Sequence, residues 1–129
     1  MVQVILLEHT PNPDQIVAAA ARLCYSNDDP VSLLEGMTTE RAAKLIADLK
    51  KSGHMSPFEH ASFTFSVHGI SRACSHQLVR HRVGTAFSQR SQRYVKENNP
   101  EFIVPKTIAD DPSMLAKYRS AVHTAFIMY

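Results

Sequence analysis

Residues 77–94 read Gln77-Leu78-Val79-Arg80-His81-Arg82-Val83-Gly84-Thr85-Ala86-Phe87-Ser88-Gln89-Arg90-Ser91-Gln92-Arg93-Tyr94. Four arginines, a histidine, three glutamines and three small hydroxyl residues occur there without a carboxylate. The acid-free interval extends from residue 60 to residue 96 and also holds Arg72 and Lys96, while all twelve Asp and Glu residues lie outside it. Since the net charge is only +2, the chain is charge-segregated and not uniformly basic. The local field therefore selects the ligand, and the ligand is anionic. Guanidinium groups hold phosphate through planar paired donors that stay charged at any relevant pH. Ser88, Ser91 and the backbone around Gly84 can add hydroxyls and amides at close range. A lone arginine is usually a solvated surface charge, but four within fourteen residues of an acid-free window favour a bound phosphate. Ser91 reads as a hydrogen-bond donor. A nucleophilic serine needs a neighbouring base, which neither Arg90 nor Arg93 can be at neutral pH.

The elements that must position these groups follow from periodicity. Residues 2–7 form a short apolar run, expected as a strand buried on both faces. Asn12-Pro13-Asp14-Gln15 reads as a helix start, with Asn12 at the N-cap and Gln15 closing a capping box. Ile16, Ala19, Ala20 and Leu23 continue at helical spacing to about Cys24, and residues 26–30 end the helix. A short helical turn is expected over residues 31–37. Thr38 or Thr39 caps the next helix, where Ala42, Leu45, Ile46 and Leu49 form one buried stripe, Lys50 and Lys51 complement its dipole, and Gly53 stops it. Residues 61–67 alternate apolar with polar, a strand with its Phe side packed. Residues 70–82 are expected as a helix whose row Ile70, Ala73, Cys74, Gln77 and His81 faces inward, with Arg80 at its margin. A core-facing row that turns polar at its end needs partners, and a bound ligand is the expected one. Residues 91–95 read as a short strand, Asn98-Asn99-Pro100 as a turn and residues 102–104 as extended. Asp111-Pro112 opens a last helix with a packing face of Leu115, Tyr118, Val122, Ala125 and Tyr129.

Arg80-His81-Arg82 followed by Ser91-Gln92-Arg93-Tyr94 resembles the signature of the flavin-dependent thymidylate synthases. The upstream block His54-Met55-Ser56-Pro57-Phe58-Glu59-His60 resembles that family's second block, at about the family's distance. Eight residues separate Arg82 from Ser91, one more than in the family signature. Alignment on Ser91-Gln92-Arg93-Tyr94 places the extra residue near Gly84-Thr85-Ala86. The resemblance implies dUMP as methyl acceptor, methylenetetrahydrofolate as carbon donor and FAD, reduced by NADPH, as hydride source. On the same resemblance Ser56, Glu59, Arg80, His81, Arg82, Val83, Ser88 and Gln89 contact FAD. Gln77, Arg80, Gln89, Ser91, Gln92 and Arg93 hold dUMP. His54, Arg80 and Ser91 are the catalytic set, with His54 beside the isoalloxazine and the folate. Gln89 stands where some members carry an acid, and an amide can donate where a carboxylate only accepts. The family further implies a thymidylate synthase-complementing type fold and a homotetramer with sites at subunit junctions.

The 129 residues, 44% hydrophobic and 20% charged, are expected to form a single α/β (α+β) domain with a mixed or antiparallel sheet flanked by helices. No apolar run approaches the roughly 20 residues of a membrane span, and the first residues are strand-like, not a leader, so a cytoplasmic protein with no membrane partner is expected. Cys24 and Cys74 lack a CxxC spacing and are expected as reduced, buried core residues. His54 and His60, or His76 and His81, are not i, i+4 pairs, so no metal is expected. A single-stranded nucleic-acid module is the competing reading, suggested by the arginines with Phe87 and Tyr94 as stacking surfaces. The absence of an RNP-like or helix-turn-helix pattern speaks against it. The last helix stops in mid-pattern at Ala125-Phe126-Ile127-Met128-Tyr129. The chain is therefore expected to be the truncated N-terminal portion of a longer protein, binding FAD weakly or not at all by itself because a half-built pocket leaves its charges uncompensated.

Overall fold

Small and aliphatic residues at helical spacing build a buried cluster in the first of two units, Met1–His68 and Gly69–Tyr129, into which the chain divides. The structure is a computed structural model that describes residues 2–91, 93–95 and 101–128. The first unit runs β1 (Gln3–His9), α1 (Pro13–Leu23), α2 (Pro30–Glu35), α3 (Thr39–Ser52), a 3-10 turn (Ser56–His60) and β2 (Phe63–His68). Helix α1 packs against α2, α3 and the 3-10 turn. Val17, Ala21 and Leu49 form the cluster's centre, with Leu45, Ile46, Phe58 and Ala61 packed around it. Burying a side chain such as Leu49 stabilises by about 1.5–3 kcal/mol, so this cluster holds α1, α3 and the 3-10 turn together.

Helix ends in this unit follow local chemistry. Thr38 accepts from the Arg41 amide and Asp29 from those of Val31 and Ser32, satisfying amides that have no partner inside the helix. Gly53 takes the left-handed conformation at φ 71°. Its amide and that of His54 reach back to the carbonyls of Lys50 and Leu49, a Schellman closure. The start of α1 differs from the capping box expected of Asn12 and Gln15. Asn12 is itself left-handed at φ 46° and makes no side-chain cap bond; its carbonyl accepts from Ile16 instead.

Strands β1 and β2 pair antiparallel, Gln3 opposite His68 and His9 opposite Phe63, with a register shift between Leu6 and Glu8. A Thr10–Ser62 clasp of backbone and hydroxyl bonds closes the ribbon's base. The antiparallel sheet and the α+β class agree with expectation, but the burial does not. β1 is exposed along its whole length, and Phe63 and Phe65 stack on each other while remaining about half exposed. A two-stranded ribbon has no second layer to bury a face against, so the alternation reports where apolar side chains point and not what covers them.

The second unit contains α4 (Arg72–Leu78), α5 (Lys106–Ala109) and α6 (Pro112–Met128). Asp111 Oδ1 accepts from the amides of Ser113 and Met114 and so starts α6 as expected. Leu115, Tyr118 and Val122 are its half-buried row, and the Tyr118 hydroxyl donates to the Ile103 carbonyl. Residues 93–94 form a turn in place of the expected strand. The expected turn at 98–100, Lys96, and the end of the α6 face at Tyr129 lie outside the described residues. Cys24 and Cys74 are exposed, not buried. Among the described residues, no helix is long and apolar enough to cross a membrane.

Candidate anion-binding site

The candidate residues fall in both units. His54, Ser56 and Glu59 are in the first; Gln77, Arg80, His81, Arg82, Val83, Ser88, Gln89, Ser91 and Arg93 are in the second. In the first, the Schellman closure of α3 delivers the chain to His54, which is half-buried. The 3-10 turn then buries Pro57 and half-buries Phe58 against the core while Ser56 and Glu59 remain exposed. Two apolar anchors thus set the direction in which the polar residues of this block face. A separate cleft of about 520 Å3 is lined by Arg22, Asp28, Ser32, Arg41, Lys44 and Asp48, among others. It contains none of the candidate residues, and its mixed charges contrast with the acid-free segment.

In the second unit, the Ser71 hydroxyl accepts from the Cys74 amide and starts α4 at Arg72, two residues after the expected start. The helix ends at Leu78, four residues before the expected Arg82. Val79 still bonds the i−4 carbonyl of Ser75, but Arg80 and His81 bond the i−3 carbonyls of Gln77 and Leu78. Terminal turns tighten in this way when nothing continues the helix. Gly84, at φ 68°, then takes a conformation that side-chain-bearing residues resist. Arg80, His81 and Arg82 therefore leave the helix into an irregular segment. Its described residues 80–90 are all exposed, Val83 at 98%.

The inward row expected of Ala73, Cys74, Gln77 and His81 is a correction: all four are exposed and only Ile70 is half-buried. The inward face is Ser71, Ser75 and Val79, spaced i, i+4 and i+8, with Ser75 the buried member. The expectation followed the apolar residues, but in a short helix set among polar neighbours the serines face in because their hydroxyls bond locally. Ser75 is the residue that the sequence reading missed. Its hydroxyl donates to the Arg72 carbonyl at 3.0 Å and accepts from Gln89 Nε2 at 2.7 Å. Arg72 Nη1 lies 3.5 Å from the Arg90 carbonyl, so two contacts fasten residues 89–90 to α4. Thr85 donates to the His81 carbonyl and folds the intervening segment.

Ser91 is half-buried, and its hydroxyl accepts from the Arg93 amide at 3.2 Å. The Arg93 guanidinium carbon stands over the Tyr94 ring, 5.6 Å from its centroid, within the range of a cation–π attraction. Gln92 lies outside the described residues. Among the described residues, no buried side-chain nitrogen or oxygen lacks a partner, and no three His, Cys, Asp or Glu side chains cluster as metal ligands. What the second unit offers a ligand is an exposed, acid-free set of guanidinium, hydroxyl and amide donors. That set suits the phosphates of a nucleotide or dinucleotide.

Residues 5–129 match the model of the family described as thymidylate synthase complementing protein. A flavin-dependent thymidylate synthase of Clostridium tetani is 47% identical over 110 residues, covering 85% of this chain and 44% of that protein. One from Geobacter sulfurreducens is 42% identical over 123 residues, 95% of this chain and 52% of the relative. One from Pyrococcus furiosus is 35% identical over 133 residues, all of this chain and 54% of the relative. The chain spans about half the length of the curated relatives it matches.

Proposed function

From the premise that this chain belongs to the family of thymidylate synthase complementing proteins, we propose that it is the N-terminal part of a flavin-dependent thymidylate synthase. On this reading the enzyme methylates dUMP to dTMP with methylenetetrahydrofolate as carbon donor, FAD as cofactor and NADPH as reductant. The observation that carries it is the exposed donor segment from Arg80 to Arg90, in an interval without a carboxylate. FAD, when bound, supplies the hydride, so no cysteine nucleophile is required of the chain.

The chain's own residues bind and orient. Arg80, His81 and Arg82, freed from α4 by its early end, face the cofactor's anionic groups, with Val83, Ser88 and Gln89 beside them. Gln77, in the last turn of α4, acts with Arg80, Gln89, Ser91, Gln92 and Arg93 to hold dUMP. Arg93 offers its guanidinium to the phosphate, where a fork of donors pairs with two oxygens at once. The Ser91 hydroxyl already accepts from the Arg93 amide, so its own hydrogen is free to donate to substrate, in keeping with a positioning rather than a nucleophilic part. Ser56 and Glu59 contact the flavin, and His54 lies beside the flavin and folate.

Residues 1–129 act as one domain of a cytoplasmic homotetramer, to which the apolar side of α6 contributes. Neither nucleic acid nor membrane is among its partners. The test is the visible absorbance of the purified protein before and after dUMP is added. A flavin spectrum perturbed by dUMP supports the reading. A colourless protein whose affinity for single-stranded oligonucleotide falls steeply with salt would replace it with a nucleic-acid module.

A further inference from the structure

Ser75 has no part in the reading above, yet it is the buried polar residue of α4, 6% exposed, and it touches Gln89, which is exposed. We propose that Ser75 is a positioning residue. Its hydroxyl fixes which end of the Gln89 side-chain amide faces the ligand, and the end it leaves outward is the carbonyl oxygen, an acceptor.

The hydrogens available at Ser75 decide the orientation of Gln89. A serine hydroxyl has one hydrogen and two lone pairs. The hydrogen of Ser75 goes to the Arg72 carbonyl, 3.0 Å away, within its own helix. What remains at the Gln89 contact, 2.7 Å away, is a lone pair, so Gln89 must turn Nε2 inward. Turning the amide over would set Oε1 against a lone pair, or draw the hydrogen away from Arg72. Oε1 therefore faces outward and accepts from a ligand N–H or O–H. Arg72 reinforces the arrangement from the same turn, its Nη1 reaching the next residue's carbonyl. In a segment otherwise full of donors, the device supplies one directed acceptor without adding a negative charge that would repel phosphate.

The ligand side of this inference rests on the proposed function; the amide orientation does not. Two measurements on the 129-residue chain separate them. The first is the 15N spectrum of the Gln89 side-chain amide, assigned by its loss in Gln89→Glu. One of its hydrogens exchanges slowly in the wild type and in Ser75→Thr, which keeps the hydroxyl, and rapidly in Ser75→Ala. Identical Gln89 signals in the wild type and Ser75→Ala overturn the proposal. The second is titration with dUMP and, separately, with FAD, for Ser75→Ala, Gln89→Glu and the double variant. A carboxylate presents an oxygen whichever way it turns. Ser75→Ala is thus expected to weaken binding of the ligand that meets Oε1 about three- to tenfold when residue 89 is Gln and less than about twofold when it is Glu. Equal losses in both backgrounds also overturn the proposal, since a purely structural role of Ser75 would not distinguish them. Ala is the better helix former, so a loss cannot be laid to weakened helicity. Where the 129-residue chain binds neither ligand, as a half-built pocket allows, the amide spectrum alone decides the inference; a complete enzyme that binds neither sinks the functional reading.

Discussion

The helices of the first unit and the arginine segment of the second contrast in how each is held. In α1 and α3, Val17, Ala18, Ala42 and Leu49 are all below 9% exposed, and the ends of α3 are closed by a threonine and a left-handed glycine. In residues 80–90 every side chain is exposed and no regular element forms. The contacts at Ser75, Arg72 and Thr85 fasten that segment at a few points. Residue choice in the first region is explained by packing and backbone satisfaction. In the second those causes explain little, and the residue types make sense as groups presented to something else.

The largest test of this contrast is Leu49→Ala, expected to destabilise by about 2–5 kcal/mol through a cavity at the cluster's centre. Arg82→Ala should stay within about 0.5 kcal/mol in the same urea titration, and comparable losses would break the comparison. Next is Arg93→Ala, expected to leave the unfolding midpoint unchanged while weakening dUMP binding about 10- to 100-fold, the usual worth of a charged hydrogen bond. Its effect on FAD should be much smaller; matching losses of both ligands would count against placing Arg93 on the phosphate.

Smaller still is Ser91→Ala, which should slow methyl transfer by the complete enzyme by about 0.5–1.5 kcal/mol, one neutral hydrogen bond, without abolishing it. Total loss of turnover with both ligands still bound would restore a nucleophilic role. The smallest effect concerns Asp29. The Ser32 hydroxyl and amide, with the Val31 amide, hold its carboxyl below the usual 3.8. A depressed carboxylate contributes stability above its unfolded value, and that contribution is lost as pH falls through the lower folded value. The α2 cap should therefore persist at pH 5 and fade only below about 3.8. Far-ultraviolet dichroism should show a matching slope that is reduced in Asp29→Asn, and a wild type without any slope there would remove the cap from the account.

The sequence made the packed region legible because its signals are local. Pro13, Thr38, Gly53 and Pro112 mark helix ends by backbone geometry, and the stripe of Ala42, Leu45, Ile46 and Leu49 needs only the helical repeat. It misled where burial depends on a second layer. The apolar run of β1 and the Phe side of β2 read as covered, but among the described residues each strand pairs with the other alone. For the site, charge segregation and the two motif blocks were readable by residue type. The inward face of α4 was not, because Ser71 and Ser75 carry no apolar signal and Val79 alone makes no stripe. The bond from Ser75 to Gln89 spans fourteen residues, beyond any helical repeat.

The ribbon of β1 and β2 has a consequence for measurement in solution. Val4, Ile5, Leu6, Leu7, Phe63, Phe65 and Val67 are each at least 41% exposed, and one ladder joins the strands. Little burial opposes local opening there, so its amide hydrogens should exchange with deuterium long before those behind Leu49. Sulfate, which strengthens apolar contact, should slow that exchange and at the same time loosen whatever phosphate the arginines hold by competing for them. One salt series would thus shift the two ends of the chain's chemistry in opposite directions.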